Sequence, residues 1–241
     1  MHKIILLSLF VIVLLPVPSS ANSYEANEII EFENWADENN IALVGVNKNS
    51  YDLYYDGFNP KTDFVNWKEI PNVLIVADAL YLIPEDVMQV MDGKTIYLST
   101  EHGRSYAVLG SFPEYGILEG LNRGIILEQN FNSHTVIHEL GHIVDYHGIQ
   151  GMYDDEHNLF ESSLDDRNFI FRGMTNSSES QTPNGYISLY STVNDAENFA
   201  ENFAYYVIYP NEFRDRLETD PLLIDEYEFM RDMIFSSFEY N

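Results

Sequence analysis

Two histidines four residues apart flank a glutamate in the run His138-Glu139-Leu140-Gly141-His142, the most chemically specific pattern in this sequence. On an α-helix, residues four apart share one face about one turn apart, so both imidazoles can reach a single metal ion. Zinc takes neutral imidazole nitrogens, and a catalytic zinc site keeps one coordination position open. Glu139 stands about 100° round the helix from His138, where its carboxylate can serve as a general base. The spacing therefore predicts a hydrolytic centre with one zinc ion, His138 and His142 as ligands and Glu139 as base.

The flanking residues have to supply a helix. Ser133 reads as the N-cap and Gly148 as the stop. Between them Val136, Ile137, Leu140, Ile143 and Val144 make most of the surface apolar, so the helix should be buried. Buried imidazoles and a buried carboxylate need partners, and a metal ion supplies one. Two histidines do not complete a zinc site, so a third protein ligand is required. Asp145 and His134 share the motif face but lie about one turn beyond the metal-binding turn, and His147 points elsewhere. Those three read as supporting or helix-end residues.

The stronger source of a third ligand is downstream, in the segment Asn194 to Tyr205, which Pro210 brings to an end. Ala196, Phe199, Ala200, Phe203, Ala204 and Val207 make it a largely apolar helix, yet Glu197 and Glu201 stand four apart on one face. Two other readings fit the same residues. Asn194 and Glu197 have the spacing of a capping box, and both glutamates would also suit a solvated face.

The runs HTVIHELGHIVDYHG and Tyr190-Ser-Thr-Val-Asn-Asp-Ala-Glu197-Asn-Phe-Ala-Glu201 resemble the anthrax-toxin lethal factor-like zinc metalloprotease family. That family includes small secreted Pro-Pro endopeptidases. The likeness runs through both helices to Pro221–Phe235, and is loose before them, around Leu82 to Leu98. The resemblance implies a gluzincin-like α+β domain, with a small twisted sheet and an exposed edge strand ahead of the motif helix. It implies zinc held by His138, His142 and Glu197, with Tyr190, seven residues before Glu197, as a catalytic tyrosine. Glu201 then falls where it could orient a zinc-bound histidine, while Asp145, from its own place on the motif helix, would support the site from outside the ligand set. Between His142 and Glu197 this chain looks longer than those relatives by a polar loop, which bears on substrate choice more than on chemistry.

Zinc lowers the pKa of bound water toward about 7 and polarises a carbonyl. Glu139 would move the proton, and a tyrosine hydroxyl such as that of Tyr190 would donate to the developing oxyanion. The expected substrate is an extended peptide or protein, which the resemblance implies to be proline-rich, pairing with an edge strand within Tyr106 to Gly120. Two rivals stand beside this reading: a toxin-like protease acting on a host protein, and a non-catalytic module that keeps zinc for structure.

Composition sets the setting for that chemistry. Lys3, the apolar run Ile4 to Leu15 and the small residues ending at Ala21 read as a signal peptide, so the mature protein should be secreted and carry no membrane anchor. The remainder, residues 22–241, is long enough for one domain with its own core. There is no cysteine, which excludes thiolate ligands and a cysteine nucleophile. The formal net charge is −27, so nucleic acid and anionic membranes are poor partners. The cluster Asp154-Asp155-Glu156 lacks the alternating oxygen ligands and glycine of a calcium loop.

The remaining elements follow from periodicity. Ala26–Asn39 predicts an amphipathic helix, Ile41–Val44 a strand, Pro84–Met91 a helix and Thr95–Ser99 a strand. Val73–Val76 fits either a buried strand or a helix start. Short extended segments are expected at Tyr106–Leu109, Gly116–Gly120 and Ile125–Leu127, with a polar break from Thr175 to Asn184. Strands concentrated before about residue 130 and helices from about 131 give an α+β class.

Overall fold

The computed structural model describes residues 20–56, 58, 59, 61–108, 123–148 and 182–241. Most of the leader, the strand expected at Gly116–Gly120, the acidic cluster Asp154-Asp155-Glu156 and residues 175–181 of the polar break lie outside them. Helix α1 spans Ser20–Glu38, followed by β1 (Ala42–Val46), α2 (Ser50–Asp56) and β2 (Phe64–Val65). Helices α3 (Val73–Leu80) and α4 (Glu85–Met88) precede β3 (Thr95–Ser99), β4 (Tyr106–Val108) and β5 (Gly124–Leu127). From there every described element is helical: α5 (Ser133–Ile143), α6 (Asp195–Ile208), α7 (Pro210–Thr219) and α8 (Ile224–Phe229), with short 3-10 and π turns between. The architecture is mixed α and β, and among the described residues no helix is long and apolar enough to cross a membrane.

The five strands form one sheet in the order β2-β1-β3-β5-β4. The central strands β1, β3 and β5 run parallel, whereas β2 and β4 pair antiparallel at the two edges. All five strands lie in the front half, interleaved with helices. Parallel neighbours need long crossovers, and α2, α3 and α4 lie in the one that joins β1 to β3. This also settles Val73–Val76 as the start of a helix. Asn72 opens that helix from a left-handed backbone at φ 67°, and the apolar run continues to Leu80.

Every residue of β3 and β5 is buried, as expected of central parallel strands. Successive side chains alternate faces. Ile96, Leu98, Ile125 and Leu127 join the main core, which includes residues from α3, α5 and α6. Tyr97 and Ile126 turn the other way, onto Val46, Leu53 and Val108. Gly124 opens β5 at φ 153°, where a Cβ would fall 1.7 Å from the Thr95 carbonyl oxygen, so glycine is required for this close pairing.

Helix α1 starts at Ser20 rather than Ala26, α4 covers only Glu85–Met88 of the expected Pro84–Met91, and both ends of α5 differ from expectation. Asn132, not Ser133, caps α5: its side-chain oxygen accepts from the Thr135 amide at 2.9 Å, and Ser133 is already helical. The α-helical hydrogen bonding ends at Ile143, and a π turn, Val144–Gly148, carries the chain on to the expected stop. Pro210 does end α6, and it also begins α7 at the first helical position, where its missing N–H costs nothing.

Candidate metal centre

Helix α5 presents His138 and His142 with ring centroids 4.8 Å apart and planes at 88°. Helix α6 lies directly across them, brought close by Gly141: a Cβ there would sit 3.0 Å from the Ala200 Cα. Glu197 consequently points between the two imidazoles. Its Oε2 is 3.0 Å from His138 Nε2 and 3.3 Å from His142 Nε2. Asn194 does cap α6 by accepting from the Glu197 amide at 2.9 Å, as the capping reading required. The Glu197 carboxylate, however, turns to the histidines.

Glu201 is not solvated either; it is 4% exposed. Its Oε1 lies 2.8 Å from His138 Nδ1 and 2.9 Å from His134 Nε2. It also accepts from the Ser188 hydroxyl, just ahead of Tyr190. One carboxylate thus ties together the motif helix and the turn Tyr190–Thr192. Burial opposes a charge on His138, but hydrogen bonds to Glu197 and Glu201 outweigh it and push the imidazole up to about 9. Burial likewise opposes ionisation of Glu197 and Glu201, and their histidine partners hold both carboxyls well below the ordinary range.

Glu139 is 6% exposed, and burial pushes its carboxyl up to about 7, against the pull of the His142 and His138 charges. It accepts a hydrogen bond from the Ala107 backbone amide on β4. The edge strand of the sheet therefore runs beside the glutamate. Tyr190 closes the opposite side, its ring 5.6 Å from that of His138. Burial first, then the charge and hydrogen bond of Glu197, raise its hydroxyl to about 12, so it stays protonated and able to donate.

The donor set fits zinc. His138, His142 and Glu197 offer two imidazole nitrogens and one carboxylate oxygen, all within 4.8 Å of one another, from residue types that zinc prefers. A second triple, His134, His138 and Glu201, has the same closeness, but there Glu201 faces the other nitrogen of His138. A family model described as "Putative zinc-binding metallo-peptidase" matches residues 88–228, more than half of the chain. The chain belongs to that family. No curated protein matches it.

Around the metal centre, the metallopeptidase has an open cleft of about 700 Å³. It is lined by the end of β4 and the residues before it, by α5, and by Tyr190, Glu197 and Glu201. Asp145 lies half-buried in the π turn beyond His142 and belongs to neither triple. Sequence reasoning missed two residues of this cleft, Glu128 and Arg104. Glu128 follows β5, is 3% exposed, and accepts a hydrogen bond from the Ser50 amide at the start of α2. Only the tertiary fold brings residues 50, 104 and 128 together, so no local pattern signals them.

Proposed function

We propose that the chain is a zinc endopeptidase of the HExxH type with a glutamate third ligand, cleaving extended peptides laid along β4. The observation that carries this reading is the convergence of Glu197 on His138 and His142, with Glu139 and Tyr190 on either side. Zinc held by the three ligands supplies Lewis acidity, bringing the pKa of water toward about 7 and polarising the scissile carbonyl.

The protein's own groups do the rest. Ala107 and the edge of β4 fix Glu139 beside the reacting centre, where it takes a proton from the attacking water. Glu139 then gives that proton to the leaving amine as the C–N bond breaks. The Tyr190 hydroxyl donates to the carbonyl oxygen as negative charge builds on it. Glu201 holds His138 in the tautomer that leaves Nε2 facing the metal position. A non-catalytic zinc module has no use for a buried base against a strand edge or for a tyrosine across from it, so the peptidase reading is the better supported.

Export, cleavage at Pro-Pro bonds and lethal factor-like specificity rest on the leader-like N-terminus and on the sequence resemblance. Amino-terminal sequencing of the mature protein tests the first, and a proline-containing peptide library tests the others. The central test is Glu139→Ala, which should keep the fold and bound zinc while peptide cleavage falls by about 100- to 10,000-fold. Undiminished cleavage by that variant overturns the proposal.

A further inference from the structure

Arg104 is the single Lys or Arg among the described residues that line the cleft, where it shares the wall with Glu128, Glu139, Glu197 and Glu201. It pairs with none of them. Among the described residues its guanidinium makes no ion pair and no hydrogen bond, although the chain holds 39 Asp and Glu against 12 Lys and Arg. Glu197 and Glu201 meet histidines, Glu139 the Ala107 amide, and Glu128 the Ser50 amide through Oε1, while its Oε2 has no hydrogen-bond partner among the described residues. Among the described residues, Lys48 pairs with Asp63 and Arg231 with Asp232.

The backbone beneath this free side chain is held firmly. The Arg104 carbonyl accepts from the Ser50 hydroxyl at 2.8 Å, and the Ser105 hydroxyl accepts from the Glu128 amide at 3.2 Å. Gly103 lies so close to the Glu128 carboxylate that a Cβ would come within 2.8 Å of its Oε1. An anchored backbone carrying an exposed guanidinium with no partner among the described residues is a built recognition element, because the planar fork matches a carboxylate in two parallel hydrogen bonds. Arg104 stands three residues before Ala107, whose amide meets the base, and its charge reaches Tyr190. Arg104 precedes β4 by two residues and lines the same cleft as that strand.

We propose that Arg104 forms a subsite that binds a carboxylate of the substrate, close to the scissile bond. The inference rests on the peptidase reading and deepens it: the enzyme selects peptides with an acidic group at a fixed offset from the cut. The carboxylate is either an Asp or Glu side chain or the free C-terminus of a short peptide.

The test uses the full-length, zinc-loaded protein and its Arg104→Ala and Arg104→Glu variants, with a mixed peptide library read by mass spectrometry. Wild type should enrich Asp or Glu at one position near the cut, or free-acid over amidated termini, which separates the two sources. Arg104→Ala should lose that enrichment, with kcat/KM on the preferred peptide down about 10- to 100-fold. Arg104→Glu should invert it in favour of Lys or Arg at the same position. Zinc content and melting temperature should match wild type in both variants, because the guanidinium makes no ion pair or hydrogen bond among the described residues. Cleavage without acidic preference, or a preference that survives Arg104→Ala, overturns the subsite alone. No cleavage of any peptide by the zinc-loaded wild type overturns the peptidase reading and the subsite with it.

Discussion

Gly141 packs against Ala200, with space for no side chain between them: a Cβ on the glycine would lie 3.0 Å from the Ala200 Cα and 3.4 Å from its Cβ. This contact sets the separation of α5 and α6, and hence how far Glu197 reaches toward the histidines. Gly141→Val should force the helices apart and destabilise the fold by about 1–3 kcal/mol. At about 2–4 °C per kcal/mol for a chain of this size, the loss is visible in a thermal melt. Zinc content should fall in the same variant, since the proposed third ligand, Glu197, is moved. A Gly141→Val protein that melts and binds zinc like wild type would show that the contact has slack.

Proton linkage gives a second prediction. In the metal-free protein the His138 imidazole is pushed up from its ordinary 6.5 to about 9, so it is protonated at pH 7. Zinc needs that nitrogen's lone pair, so binding at pH 7 should release about one proton from His138 and weaken about tenfold for each pH unit below 9. Calorimetry in buffers of different ionisation enthalpy measures the proton count. The same pairing shapes metal-free stability. A raised histidine stabilises fully below pH 6.5, and its contribution is lost as pH rises through about 9. The depressed Glu197 and Glu201 contribute above pH 4.5 and lose their effect as pH falls below it. Stability without metal should therefore peak between about pH 4.5 and 6.5.

Glu201 lies outside the triple formed by His138, His142 and Glu197, yet it carries His138 Nδ1, His134 Nε2 and Ser188. Glu201→Ala should reduce zinc affinity by about 10- to 100-fold. At saturating zinc it should still lower kcat, because Ser188 and the turn that presents Tyr190 lose their anchor. Competition with a chromogenic chelator measures the first effect and zinc-saturated kinetics the second. Wild-type values for both would mean that packing alone orients His138.

Tyr190→Phe removes one hydroxyl from a residue that is 48% exposed, so the fold should not respond. If the hydroxyl donates to the developing oxyanion, kcat should fall about 100- to 1,000-fold with zinc affinity unchanged. A change confined to KM would instead assign the tyrosine to substrate binding.

The candidate site was legible in the sequence where its residues are local. His138, Glu139 and His142 lie within one helical turn and a half, and the strand Thr95–Ser99 is a continuous run with the bounds the sequence suggested. Ambiguity arose wherever tertiary partners decide. Val73–Val76 is apolar in either state, and only the crossover between parallel strands makes it helical. Glu197 and Glu201 share one helix face, and periodicity cannot say whether that face meets water or imidazoles. At Asn132 and Ser133 two good capping residues stand side by side, and the backbone chose the first. Arg104 and Glu128 left no trace in the sequence, because their meaning depends on a cleft formed from three separate segments.

His138 and Glu197 stand 59 positions apart, on two helices joined by a long connection. A metal ion clamped between them is, for chain statistics, a cross-link. Closing a loop of that length restricts the unfolded chain by an amount corresponding to about 4 kcal/mol in the entropy treatment used for disulfides. In a protein without a single cysteine, the catalytic ion would thus double as its staple, and loss of the metal would loosen the molecule as well as silence it.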